Sequence, residues 1–85
     1  MFIIAKTIKG HEYIYSRQYS VKCNSKKQAE KLVEFLNNHN DSAIENWKLK
    51  DNEVWNVYEV GNWENDYIPY KIKETTGKIS IVENN

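Results

Sequence analysis

The sequence predicts an α+β fold in which one amphipathic helix packs on a mostly antiparallel sheet. Short segments rich in β-branched and aromatic residues alternate with turn residues along most of the chain, which is typical of strands. One segment, residues 25–38, instead spaces its apolar residues as a helix does. The 85 residues fit a single domain, 1–85. The predicted order of elements is β-β-α-β-β-β-β.

The first two predicted strands are residues 2–8 and 13–23. The β-branched content of residues 2–8 favours a strand, and Gly10 supplies the backbone freedom that a tight turn needs. In residues 13–23 most apolar side chains fall on odd positions, the period of a half-buried strand. We therefore expect a hairpin here. Four aromatic residues are expected to fill the core, namely Phe2, Tyr15, Tyr19 and Phe35.

The helix has a start signal, an apolar face and a stop signal. Ser25 is a good N-cap, and Gln28 three residues later predicts a capping box. Lys26 and Glu30 are spaced to pair on the polar side. The asparagines that begin at Asn37 end the helix. The apolar face consists of Ala29, Leu32, Val33 and Leu36.

The next two predicted strands, residues 47–50 and 53–60, are separated by Asp51-Asn52. A two-residue turn there would place Lys50 opposite Glu53 and Lys48 opposite Trp55. Cross-strand pairs of these kinds stabilise a sheet. We therefore expect these segments to form a second hairpin.

The last two predicted strands are residues 67–74 and 78–82, joined by a turn at Gly77. Pro69 has no N–H to donate to a neighbouring strand, so the strand that contains it is expected at an edge of the sheet. An exposed edge strand offers a route to a homodimer.

The net charge of zero conceals an uneven distribution along the chain. Residues 1–36 carry seven basic and three acidic residues, a net charge of +4. Residues 37–70 carry two basic and seven acidic residues, a net charge of −5, and residues 71–85 carry +1. One interpretation is that these segments interleave in the fold and their fields cancel. The other is a bipolar surface with a basic side formed by the helix and the first hairpin.

The sequence does not favour an enzyme, a cofactor or a metal site. Neither His11 nor His39 lies beside a nucleophile in a recognisable pattern, and no glycine-rich phosphate loop is present. Cys23 is expected to be a small core residue; the alternative is a thiol whose pKa is lowered by the neighbouring Lys22. A single cysteine favours the cytoplasm, and no segment has the length of apolar sequence that a membrane span needs.

Contact with another protein is the function that the sequence favours. Aromatic residues mixed with asparagines in loops form rigid contact surfaces. The competing interpretation is structural, with Trp55 and Tyr58 packed on opposite faces of one strand. The candidate partner-binding residues are Trp55, Trp63, Tyr67 and Tyr70.

Nucleic-acid binding is the alternative function. Basic and aromatic residues interleave in the first predicted hairpin, and further lysines follow at the start of the helix. Phosphate contacts combined with aromatic stacking are typical of binders with little sequence preference. The candidate residues are Lys6, Lys9, Tyr13, Arg17, Lys26 and Lys27.

The stretch from Tyr19 to Asn37, YSVKCNSKKQAEKLVEFLN, resembles a strand-to-helix phrase found in small proteins of phages and prophages of low-GC Gram-positive bacteria. Residues 1–37 also resemble the arm-binding domain of phage integrases. Val57 to Gly61, together with the helix, is similar to sporulation-related peptidoglycan-binding repeats, although those continue into a second helix. The phage resemblance implies a modulator or inhibitor of a host protein.

Overall fold

The computed structural model describes residues 1–14, 19–38, 48–61 and 68–84. One helix, α1 (Lys26–Asn38), packs on one face of a five-stranded mixed sheet. The predicted α+β class is therefore confirmed. Within the described parts of the chain, no helix is long and apolar enough to cross a membrane. The strands are β1 (Phe2–Ile8), β2 (Val21–Cys23), β3 (Glu53–Glu59), β4 (Tyr70–Thr75) and β5 (Lys78–Glu83).

The sheet has the strand order β3-β1-β2-β4-β5. Strand β1 runs antiparallel to both of its neighbours, and β4 and β5 form an antiparallel hairpin. The single parallel contact joins β2 to β4, where Val21 lies beside Tyr70. This contact connects the two halves of the sheet.

Two predicted strands are wrong in extent or existence. Of the strand predicted over residues 13–23, only β2 is a strand; residues 13–14 lie outside any strand, and residues 15–18 lie outside the described residues. Residues 48–50 do not form a strand either, residue 47 lies outside the described residues, and β3 pairs with β1. Lys6, and not Lys48, is therefore the residue opposite Trp55.

The turn before β3 explains why Lys50 and Glu53 are nevertheless neighbours. The Glu53 N–H donates to the Lys50 carbonyl at 3.1 Å, and the Lys50 N–H donates to the Glu53 carboxylate at 2.7 Å. Asn52 has a φ of 68°, a left-handed conformation that asparagine tolerates better than most residues. These contacts form a tight turn leading into β3.

The prediction that the strand containing Pro69 lies at an edge is also wrong. Strand β4 begins at Tyr70, one residue after the proline, and lies between β2 and β5. The Pro69 carbonyl accepts a hydrogen bond from the Asn84 N–H at 2.8 Å, so the proline contributes its one available backbone group. Because Pro69 precedes the strand, its missing N–H does not exclude β4 from the interior of the sheet.

The helix begins and packs largely as predicted. The Gln28 N–H donates to the Ser25 side chain at 3.1 Å, and the Gln28 side chain accepts from the Asn24 N–H at 2.9 Å. Lys26 pairs with Glu30 at 3.9 Å. The predicted apolar face meets the sheet, but Phe35 is 55% exposed, so its assignment to the core is wrong.

The main core lies between α1 and the sheet. Its buried residues are joined by the partly buried Phe2 and Tyr19, as expected. Lys6 is buried here as well, with its ammonium group 3.7 Å from the Glu53 carboxylate and 4.7 Å from the centre of the Tyr19 ring. These contacts compensate for the removal of the charge from water. The buried core residues are Ile4, Val21, Cys23, Ala29, Leu36, Trp55 and Ile72.

A single asparagine holds the end of the helix to an edge of the sheet. The Asn37 amide donates to the Trp55 carbonyl at 3.0 Å and accepts from the Trp55 N–H at 2.8 Å. Strand β3 is an edge strand, and these two groups face away from β1 because the neighbouring residues of β3 carry the bonds to β1. Asn37 therefore takes the place of a neighbouring strand at this position.

Replacing Asn37 with Ala is expected to lower the free energy of unfolding by about 1–3 kcal/mol, because two backbone groups of Trp55 lose their partner. Urea unfolding followed by tryptophan fluorescence measures this change. Asn38→Ala is the matched control, since it removes the same group from the same helix end, where the amide bonds only the exposed Glu34 carbonyl. Equal losses in the two variants would contradict the role assigned to Asn37.

Candidate functional site

The charged residues of the strands are separated by the two faces of the sheet. Successive side chains of a strand point to opposite faces, and the core residues identify the face that carries α1, here called the helix face. The opposite face is called the outer face. On the helix face the strands carry the carboxylates Glu53, Glu59, Glu74 and Glu83, and on the outer face they carry Lys22, Lys71, Lys73 and Lys78.

The four outer-face lysines, here called the lysine patch, belong to three adjacent strands. Lys22 on β2 lies directly beside Lys71 on β4. Lys73 follows two residues later on β4, and Lys78 on β5 lies opposite Thr75. With strands about 4.8 Å apart and about 3.3 Å per residue, the patch measures roughly 10 Å across the strands and 13 Å along them.

The charge of the lysine patch is not neutralised by the described residues. Among these residues the ion pairs are Lys6–Glu53 and Lys26–Glu30, and neither includes a lysine of the patch. Like charges directly opposite each other on neighbouring strands are destabilising. Lys73 and Lys78 are exposed, whereas Lys22 and Lys71 are partly buried. The patch is therefore a concentrated positive surface that an anion would stabilise.

The other half of the outer face is covered. On β1, Ile3, Ala5 and Thr7 have at most 1% of their surface exposed, although α1 lies on the opposite side. The Tyr58 hydroxyl donates to the Glu12 carbonyl at 3.0 Å, which holds the chain near Glu12 against β3 in this half. Open surface is therefore concentrated on β2, β4 and β5. Tyr13, the residue after Glu12, is 64% exposed.

The predicted protein-contact residues are not assembled into one exposed surface. Trp55 is fully buried, so its assignment to a partner-binding surface is wrong. It occupies the helix face while Tyr58 occupies the outer face, which is the structural alternative that the sequence left open. Tyr70 is partly buried and packs against the core. Trp63 and Tyr67 lie outside the described residues.

The predicted nucleic-acid residues are also dispersed. Lys6 is buried against Glu53 and cannot reach a ligand, so this assignment is wrong. Lys9 is exposed in the turn after β1, and Lys26 and Lys27 are exposed at the start of α1, on the other side of the sheet from the lysine patch. Arg17 lies outside the described residues. Tyr13 is exposed, and the carbonyl of its neighbour Glu12 is bonded by Tyr58 of β3.

A sequence signal for the lysine patch exists. Lysines alternate with apolar residues in Val21-Lys22-Cys23 and in Lys71-Ile72-Lys73, so each strand shows one basic and one apolar face. Which strands become neighbours is not encoded in this local alternation. The parallel contact between β2 and β4 joins residues about fifty positions apart and brings Lys22 to Lys71.

Cys23 is an inert core residue, as the sequence favoured. Burial raises the pKa of its thiol from 9.0 to about 11, and a hydrogen bond with the Ile4 backbone only partly offsets this effect. The alternative of a thiol with a lowered pKa is therefore wrong. Among the described residues, no three His, Cys, Asp or Glu side chains are grouped to hold a metal ion.

Comparison with models of known protein families, with curated proteins and with solved structures finds no significant match to this chain. The resemblance to phage proteins therefore remains a prediction. Arguments about function rest on the geometry of the chain itself.

The Cys23 thiol is expected to react with a thiol reagent such as DTNB far more slowly in the folded protein than in urea, because it is buried and protonated. The unfolded thiol ionises near 9.0 and the folded thiol near 11. The free energy of unfolding should therefore fall as the pH rises from 9.0 to about 11, an interval in which mainly the unfolded state loses the proton. Similar labelling rates in buffer and urea would show that the thiol is accessible.

Proposed function

We propose that this protein binds nucleic acid through the phosphate backbone, using the lysine patch as its contact surface. The observation that supports this proposal is the separation of charge between the two faces: the outer face of the strands carries four lysines and no carboxylate among the described residues. Such a surface attracts a polyanion even though the whole chain is neutral.

The dimensions of the lysine patch suit a short run of phosphates. One strand of B-form DNA carries a phosphate about every 3.4 Å along the axis, so the roughly 13 Å of the patch spans about four phosphates of a duplex strand and fewer of an extended single strand. Each lysine that neutralises a phosphate releases condensed counterions, which is the main source of affinity in non-specific binding. Lysines that contact phosphates do not contact the edges of the bases, so we expect little sequence preference.

An exposed aromatic residue, Tyr13, adds a second mode of contact. Tyr13 is 64% exposed, and the carbonyl of its neighbour Glu12 is bonded by Tyr58 of β3. A base of a single strand can stack on an exposed tyrosine, whereas the bases of a duplex are already stacked. Single-stranded nucleic acid is therefore the preferred ligand in this proposal.

This proposal gives more weight to nucleic acid than the sequence did. The protein-contact hypothesis depended on four aromatic residues, of which Trp55 is buried and Tyr70 packs against the core. In its revised form the proposal is a non-catalytic binding protein of the cytoplasm, the compartment that a single cysteine favours. A phage origin would fit this role but is not needed for it.

The double variant Lys73→Gln/Lys78→Gln is expected to weaken binding to a labelled single-stranded oligonucleotide about tenfold at low salt, because it removes two phosphate contacts. Fluorescence anisotropy measures the affinity over a series of salt concentrations. The slope of log K against log salt should become less steep by about 1.4, which is two contacts at about 0.7 each. Both side chains are exposed, so the thermal unfolding curve should change little.

The matched control is Lys26→Gln/Lys27→Gln, which makes the same change of charge at the start of α1, on the helix side of the sheet. It should change the affinity less than about twofold. If the two double variants weaken binding equally, the binding depends on overall charge and not on the lysine patch. If the unmodified protein shows no binding at low salt, the proposed function is wrong.

A further inference from the structure

The two edge strands of the sheet, β3 and β5, differ in whether their outward backbone groups are hydrogen-bonded. On β3, the outward N–H and carbonyl of Trp55 are both bonded by the Asn37 side chain. On β5, hydrogen bonds to β4 come from the other set of alternating residues, as the Asn84–Pro69 bond shows. The backbone groups of Ile79, Ile81 and Glu83 therefore point outward, away from β4.

No hydrogen bond to these outward backbone groups is present among the described residues. Ile79 is 46% exposed and Glu83 is exposed, while Ile81 between them is partly buried. An open edge with apolar side chains is a template for another strand. The described part of β5 has no proline, no bulge and no covering side chain such as Asn37, and its charged residues, Lys78 and Glu83, lie only at its two ends.

We propose that a second copy of this chain pairs with this edge, β5 against β5 in antiparallel orientation. A twofold axis at Ile81 would place Ile79 opposite Glu83 of the other copy and would use the outward groups of all three residues. Lys78 lies on the outer face and Glu83 on the helix face, so these two residues of neighbouring copies do not meet. Lys78 would lie opposite Asn84, and no like charges would face each other.

This pairing has a consequence for the lysine patch that rests on the proposed function. A twofold axis perpendicular to the sheet keeps the outer faces of both copies on the same side. The two patches would then lie next to each other on one continuous sheet, with Lys78 of each copy near the junction. Eight lysines would follow a nucleic-acid strand instead of four.

The dimer is expected to be weak without ligand and stronger with it. Pairing through one six-residue strand buries much less surface than a stable interface requires. A nucleic-acid strand that contacts both patches makes the second contact intramolecular and raises the apparent affinity. Binding should therefore be cooperative on an oligonucleotide long enough for two copies.

Sedimentation velocity at increasing protein concentration, with and without a single-stranded oligonucleotide, tests the proposal. We expect the free protein to self-associate as its concentration rises. The variant Ile79→Pro should abolish self-association, because it removes an outward N–H without removing a hydrogen bond to β4. Ile79→Thr, which keeps the N–H and a β-branched side chain, is the matched control and should still dimerise. Glu83→Pro provides a second variant of the same kind should Ile79→Pro unfold, as checked by circular dichroism.

The possible outcomes separate the dimer from the binding function. A protein that remains monomeric at every concentration, with or without oligonucleotide, overturns the proposal and leaves the edge for the strand of another protein. A dimer that persists in both folded proline variants also overturns it, because the contact then lies elsewhere. A dimer that depends on the edge but does not bind the oligonucleotide supports the pairing and rejects the proposed function. If the unmodified protein binds the oligonucleotide, the slope of log K against log salt for the proline variant should be about half that of the unmodified protein.

Discussion

The antiparallel pairing of β1 with both β2 and β3 is the constraint on which the rest of the structure depends. Its registers with β2 and β3 determine which side chains of both neighbours face α1. A shift by one residue would exchange the faces and place Lys22 in the core and Val21 and Cys23 outside. The burial of Ile3 and Ile4 on opposite faces requires cover on both sides, which α1 provides on the side of Ile4. The charge pattern of the sheet follows from this register.

Control of the edges is the second organising feature. The asparagine at the end of α1 both fixes the helix over β3 and bonds the outward backbone groups of Trp55, so one side chain serves core packing and edge protection. At the opposite edge, β5 receives no such contact from the described residues. The sheet therefore has one protected edge, at β3, and one edge suited to pairing, at β5.

Local signals in the sequence predicted local structure well. The N-cap at Ser25, the ion pair of Lys26 with Glu30 and the buried Ala29 all depend on residues within four positions of each other. Strand neighbours depend on contacts between distant residues, which is why β3 was expected beside residues 47–50 and β4 at an edge. The candidate site was missed for the same reason: alternation shows that Lys22 and Lys71 each point away from an apolar face, but only the parallel contact of their strands makes them one surface.

Net charge is a poor guide to the function of this protein because its charges are separated by a sheet. A net charge of zero is not typical of a protein that binds nucleic acid. The strand carboxylates, however, lie on the helix face, and their fields reach the outer face only after passing the sheet or the surrounding solvent. At physiological ionic strength the Debye length is about 8 Å, which is shorter than the roughly 10 Å width and 13 Å length of the patch. A polyanion at the outer face therefore experiences mainly the four lysines nearest to it, and the separation of charge by strand alternation is what makes a neutral chain locally basic.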